Sequence, residues 1–296
     1  MPFTSFLDYL NLEKNYSKHT LIAYHKDLLG FREFALSEFD FSEINNVSYA
    51  IIRSWIVKLV GDGVSNRTIN RKISSLRTYY RFLLKIGDIE VSPLVKHKVL
   101  KTAKKLQVPF SEKEIEDVLE ILKGEDSFIG LRNKLIVELF YSTGMRRGEL
   151  VNLKLNDISD SQKTIKVLGK RNKERIIPLL PSALITIASY LGYRKDLSSV
   201  KDVDYLLLTE KGTKIYETLV YRVINNYFSK ASEKVKKSPH ILRHSFASHL
   251  LNEGADIKSV KELLGHSSLA STQIYANNSI SKLKQVYKNT HPRNSK

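Results

Sequence analysis

The segment His240-Ile241-Leu242-Arg243-His244, then Leu264-Gly265-His266, then Tyr275 nine residues beyond that histidine, gathers two paired histidines, an arginine and a tyrosine into 36 residues. Upstream, Thr143-Gly144-Met145-Arg146 supplies a second arginine. These residue types suit attack on a phosphodiester by a side chain rather than by metal-activated water. Such an attack builds charge on the non-bridging oxygens of a five-coordinate phosphorus. A planar guanidinium grips those oxygens as a fork, which a lysine cannot do. Arg146 and Arg243 are the candidates. Arg147 stays open as an alternative to Arg146, because neighbours on a helix diverge by about 100° and residue type does not choose between them.

Tyr275 is the candidate nucleophile. A phenol leaves far more readily than an alkyl alcohol, which suits a cut that must be resealed. Fifteen tyrosines are present and most tyrosines are packing residues, so it is the neighbourhood that singles out Tyr275. His240 lies one helical turn before Arg243 and shares its face. His266 follows Gly265 just past a predicted helix end and can reach the same centre. Both imidazoles suit proton transfer or hydrogen bonding to a phosphoryl oxygen near neutral pH. His244 and His249, on the same helix without a motif of their own, read as surface or core residues. The departing 5′-oxygen needs a proton, and Lys170, in a predicted hairpin turn, is placed to deliver one. Cysteine is absent and acids are few between residues 240 and 276, so a metal centre is not expected and no cofactor is implied.

The elements that must hold these groups are mostly helical, so the fold class is mainly α. Residues 1–95 read as four helices. Their stripes are Phe3, Phe6, Leu7 and Leu10; Leu21 to Phe34, capped by Ser17; Ile51 to Leu59; and, after Gly61-Asp62-Gly63, Ile69 to Leu83, capped by Ser65 or Asn66. A basic linker, 96–107, leads to a second domain, 108–296. There Ser111 and Glu114 form a capping box for a helix to about Leu122. Helices follow at about 131–141 and, after the Thr143-Gly144 turn, through Leu153. Strands Thr164–Leu168 and Glu174–Ile177 flank Gly169-Lys170-Arg171-Asn172 as a hairpin, and Ile158 marks a third strand of a small antiparallel sheet. Further helices are expected at about 181–194, 216–234, 240–252, 256–264 and 268–276. The uncharged run Ile176–Tyr193 contains Pro178 and Pro181 and reads as strand end, turn and core helix, not a membrane span.

The chain carries a formal net charge of +17 and a pI near 9.7, which points to a polyanionic partner, nucleic acid. On the fourth helix Arg67, Arg71, Arg77, Arg81 and Lys85 share a face apart from the core stripe, and no acid interrupts residues 64–87. A solvated helix face normally mixes signs, so this one is expected to track phosphates or to face a groove. Lys101 and Lys104 in the linker, and Arg175 in the hairpin, are also assigned to DNA contact. The lack of cysteine, and Asp8 and Glu13 among the first apolar residues, fit a cytoplasmic protein without a signal peptide.

Taken together, Thr143-Gly144-Met145-Arg146-Arg147-Gly148-Glu149-Leu150, Gly169-Lys170 with Asn172-Lys173-Glu174-Arg175 before Pro178, His240 to Ala247, Leu264-Gly265-His266-Ser267 and Thr272-Gln273-Ile274-Tyr275 resemble the tyrosine recombinase family, most of all the bacterial Xer recombinases and related phage integrases. Arg171 stands where many relatives carry glycine. The resemblance spans nearly the whole chain and makes the N-terminal helices a core-binding domain. It implies Arg146 and Arg243 as phosphate clamps and Lys170 as general acid. His240 and His266 would assist proton transfer, and Tyr275 would form a 3′-phosphotyrosine. It implies Glu149 as the residue that orients Arg146. It also implies a homo- or heterotetramer on two DNA sites, with a paralogous recombinase as a possible partner, and a C-terminal tail from about residue 279 that docks on a neighbour. The rival readings are a type IB topoisomerase and a non-catalytic DNA-binding regulator.

Overall fold

The apolar stripes of the N-terminal third become helices close to where their spacing places them. The computed structural model describes residues 3–103, 108–169, 173–234 and 236–265. It divides into two units, Met1–Lys105 and Leu106–Lys296. In the first, α1 (Thr4–Asp8) runs on into a π-helical turn, Tyr9–Glu13. α2 (Lys18–Phe39) starts at Ser17, whose hydroxyl accepts from the Thr20 N–H, and α4 (Asn66–Ile86) starts in the same way at Ser65. Between them lies α3 (Tyr49–Gly61). Phe6, Leu10, Leu28, Phe31, Trp55, Ile69, Leu76 and Tyr80 meet in one core.

The start of the expected linker is bonded to this unit. Asn70 donates to the Leu100 carbonyl and accepts from the Leu100 N–H, and Asn66 donates to the Lys101 carbonyl. The Tyr49 hydroxyl and the His97 ring lie 3.2 Å apart. Residues 97–101 thus lie against α3 and α4 instead of forming a free tether.

The second unit is built around α6 (Phe128–Thr143), which packs against α5 (Glu112–Lys123), α8 (Pro181–Lys195) and α10 (Pro239–Asn252). From Gly130 to Thr143 every α6 residue except Lys134 is buried. Ser127 caps it and starts it three residues before the expected position. α5 carries the expected capping box between Ser111 and Glu114. After the short α7 (Arg147–Val151) come β1 (Ile158–Ser159), β2 (Thr164–Leu168) and β3 (Glu174–Pro178). They form an antiparallel sheet in the order β1-β2-β3, with Val167 opposite Arg175 and Ile165 opposite Ile177. α9 (Glu217–Ala231) ends three residues before the expected boundary, and α11 (Ile257–Leu264) closes the described chain. The helix expected at 268–276 lies outside the described residues. No described helix is long and apolar enough to cross a membrane.

Candidate active site

The first arginine of the site owes its place to the turn between α6 and α7. α6 ends on Gly144, whose φ of +57° is left-handed backbone, and a Cβ there would meet the Phe246 ring at 2.3 Å. The chain then turns through Met145, which is buried, into Arg146, the residue that precedes α7. Glu149, three residues on, accepts from the Arg146 backbone N–H at 2.7 Å and from Arg146 Nη1 at 2.7 Å. One carboxylate therefore caps the helix and orients the guanidinium. Arg147 points elsewhere and pairs with Glu217 on α9. Of the two adjacent arginines, only Arg146 joins the cluster described next.

Arg243 reaches the same place from α10, and its side chain is buried. Its Nη1 donates to the Gly144 carbonyl and its Nη2 to the Leu264 carbonyl at 2.7 Å. Arg146 Nη2 donates to the next carbonyl, that of Gly265, at 3.1 Å. The preceding one, of Leu263, accepts from Arg175 Nε at 2.8 Å. Three successive carbonyls at the C-terminal end of α11 thus each receive a different arginine. The last carbonyls of a helix have no partner within it and sit at the negative end of the helix dipole, so cations are favoured there.

Three guanidinium groups around one carboxylate leave the cluster positively charged, as a phosphodiester requires. Burial alone would raise the Glu149 carboxyl. Hydrogen bonds from Arg175 and from the backbone and side chain of Arg146 more than reverse this and bring it down to about 2. Burial, followed by the charge of Arg146, lowers Arg243 to about 10, so it stays charged near neutral pH. His240 is exposed on the first turn of α10, three residues before Arg243. Partial burial and then the charges of Arg243, His244 and Lys236 lower its pKa, which favours the neutral imidazole. His249 is a packing residue, buried and 3.0 Å from the Tyr141 hydroxyl. Among the described residues no three of His, Asp and Glu gather as a metal-ligand set.

Lys170, His266, Tyr275 and Lys104 lie outside the described residues. The chain entering and leaving the Lys170 turn is described. The Gly169 N–H donates to the Lys173 carbonyl at 2.8 Å, and a Cβ on Gly169 would stand 3.5 Å from Glu149 Oε1 and 3.6 Å from Arg175 Nη1. Gly169, which follows β2, therefore lies against the arginine cluster.

Arg175 departs from the sequence expectation. The sequence reading assigns it to DNA contact, but its side chain is only 11% exposed and its Nη1 and Nη2 both donate to Glu149, at 3.1 and 2.6 Å. Strand alternation carries the signal: Arg175 shares a face with buried Ile177, whereas Ile176 between them is exposed.

On α4 the basic face is less uniform than its own sequence suggests. Arg71 makes a two-pronged pair with Asp27 of α2, a buried carboxylate that also accepts from Lys72 and Ser75. Lys85 pairs with Glu13 and stands over the Tyr9 ring. Arg67 and Arg81 are exposed and Arg77 is half-buried, and none of the three has an ion-pair partner among the described residues. The Lys101 side chain is exposed.

The Phage integrase family model matches residues 110–282, and that of the Phage integrase N-terminal SAM-like domain matches residues 3–87. The chain belongs to this family, the tyrosine-type site-specific recombinases that act on DNA. It is 39% identical to the tyrosine recombinase XerC of Oceanobacillus iheyensis over 98% of its length and 95% of the relative's. It is likewise 39% identical to XerC of Staphylococcus carnosus, over 99% of this chain and 97% of that one. Among solved structures, XerH site-specific recombinase bound to a palindromic difH substrate in a post-cleavage complex shares the fold. The TM-score is 0.72 at 24% identity, over 95% of this chain and 79% of that one. A lambda integrase dimer on a core site shares it at a TM-score of 0.67 and 19% identity, over 93% of this chain and all of that one.

Proposed function

We propose that this recombinase cuts and rejoins double-stranded DNA through a 3′-phosphotyrosine on Tyr275. In this reading Arg146 and Arg243 hold the non-bridging oxygens of the scissile phosphate, and Glu149 keeps Arg146 aligned. Tyr275 attacks phosphorus, the bond to the 5′-oxygen breaks, and Lys170 protonates that oxygen as it leaves. His240 and His266 hold or move the proton of the nucleophile and hydrogen-bond the developing charge. The phosphotyrosine conserves the energy of the broken bond, so resealing needs no nucleotide. The observation that carries the reading is the convergence of Arg146 and Arg243 on the carbonyls of Gly265 and Leu264, directly before His266. Arg67, Arg77, Arg81, Lys101 and Lys104 are proposed to follow the DNA backbone. Four protomers on two sites, alone or with a paralogue, are the proposed assembly in the cytoplasm. The likeness to XerC makes chromosome partition the proposed role.

Footprinting on genomic DNA supplies the site, and a nicked suicide duplex carrying it tests the chemistry. A covalent adduct that disappears in Tyr275→Phe is expected. Absence of an adduct on the footprinted site would leave a DNA-binding regulator. Relaxation of supercoiled DNA without exchange between two sites would identify a topoisomerase.

A further inference from the structure

Arg175 has no part in the chemistry above, yet all three of its guanidinium nitrogens are bonded within the cluster. Its Nη1 and Nη2 close a fork on Glu149, the carboxylate that also holds Arg146. Its Nε donates to Leu263 in the last turn of α11. Its guanidinium lies between two glycines. A Cβ on Gly265 would stand 3.1 Å from Nη1 and 3.2 Å from Cδ, and a Cβ on Gly169 would stand 3.6 Å from Nη1. Gly169 is the last residue before the Lys170 turn, and Gly265 the last before His266. At Gly265 the φ of +62° favours glycine independently of this crowding.

We infer that Arg175 is a positioning residue. It fixes Arg146 through Glu149 and packs on Gly169 and Gly265, the residues directly before Lys170 and His266 in sequence, without touching DNA itself. The inference rests on the function proposed above. A lysine could not replace the arginine, because one ammonium cannot close a fork on a carboxylate and also reach a carbonyl on the opposite side. The charged groups facing Glu149 among the described residues are Arg146 beside α7, Arg175 from β3 and Arg243 from α10. Without Arg175, burial of the Glu149 carboxyl meets less opposition and its pKa rises. Acid would then neutralise Glu149 and release Arg146.

The test is single-turnover cleavage of the nicked duplex between pH 5.5 and 8 by the full chain, by Arg175→Gln, by Arg175→Lys and by the double variant Arg175→Gln with Glu149→Gln. Duplex affinity and thermal unfolding are measured alongside. Arg175→Gln should bind the duplex within about 3-fold of the parent and cleave about 30-fold more slowly at pH 7.5, the loss of one charged hydrogen-bond pair. Its deficit should grow as pH falls. Arg175→Lys should stay slow but lose that extra acid sensitivity, since its ammonium keeps Glu149 ionised. The double variant should show a deficit independent of pH. Parental cleavage by Arg175→Gln, a fall in affinity that matches the fall in rate, or a deficit equal at every pH would overturn the inference. If Arg175→Gln does not fold, Arg175→Lys decides: parental cleavage by it would equally overturn the assignment. No adduct from the unaltered chain would instead sink the proposed function and this inference with it.

Discussion

Replacing Arg243 by lysine keeps a cation on α10 and removes its shape. In the parent, one nitrogen donates to Gly144 and another to Leu264, so the guanidinium ties the end of α6 to the end of α11. A lysine keeps at most one of these charged hydrogen bonds, and losing the other costs about 2 kcal/mol. For a domain of this size that lowers Tm by roughly 4–8 °C. The catalytic loss is larger. A single donor aimed at developing oxyanion charge accounts for about 10²–10³ in rate, and the variant forfeits the planar fork that makes the grip two-pronged. The site is also hostile to an amine. Burial and the charge of Arg146 already draw the arginine down to about 10, and the same surroundings push a lysine toward its neutral form. Cleavage of the suicide duplex should therefore fall at least about 100-fold, whereas duplex binding, carried by many dispersed phosphate contacts, changes little. Cleavage within about 3-fold of the parent, in a variant with the expected lower Tm, would refute the clamp.

Glu149→Gln should cost about 3 kcal/mol at pH 7, because the fall of its carboxyl from 4.5 to about 2 is stability present only while the group is ionised. The folded value lies below the unfolded one, so this contribution is complete above about pH 4.5 and disappears as pH falls through about 2. Urea unfolding at pH 7 and pH 3 should show the gap to the parent narrowing, and a constant gap would contradict it. Gly144→Ala should destabilise by more than about 3 kcal/mol, since left-handed backbone costs roughly 1–2 kcal/mol and the methyl collides with the Phe246 ring. A thermal melt like the parent's would contradict that. Removing Arg67, Arg77 and Arg81 together should reduce the slope of log affinity against log salt by about 0.9 for each phosphate that is no longer neutralised. Arg71→Ala should chiefly lower the melting temperature, because it removes both prongs of the pair with buried Asp27. Equal slopes in both variants would mean that the α4 face is merely solvated.

The helices and the hairpin were legible because their apolar residues repeat at 3.6 and at 2. The Thr-Gly-Met-Arg turn was legible because glycine suits left-handed backbone at a helix end. Two features were not read. The pairing of Arg71 with Asp27 crosses from α4 to α2, and a charge pattern counted along one helix cannot see an acid on another. The assignment of Arg175 to DNA contact does not take account of the direction of its side chain. Its inward direction follows from alternation with Ile177, which outranks charge once a carboxylate waits inside. Residue type leaves Arg146 and Arg147 open and the family resemblance points to Arg146; in the structure Arg147 pairs with Glu217 on α9. α6 shows no clear stripe because almost no side of it meets water.

That last property has a consequence during synthesis. A helix covered on every side cannot complete its packing when it leaves the ribosome. One of its covers, α10, begins roughly a hundred residues after α6 ends. At typical elongation of about 5–20 residues per second, the apolar surface of α6 waits roughly 5–20 seconds for that partner. Chaperone dependence of the newborn chain should accordingly concentrate on the interval between the emergence of α6 and that of α10. Ribosome-bound chains stopped before α10 should be far more open to protease than chains stopped after it.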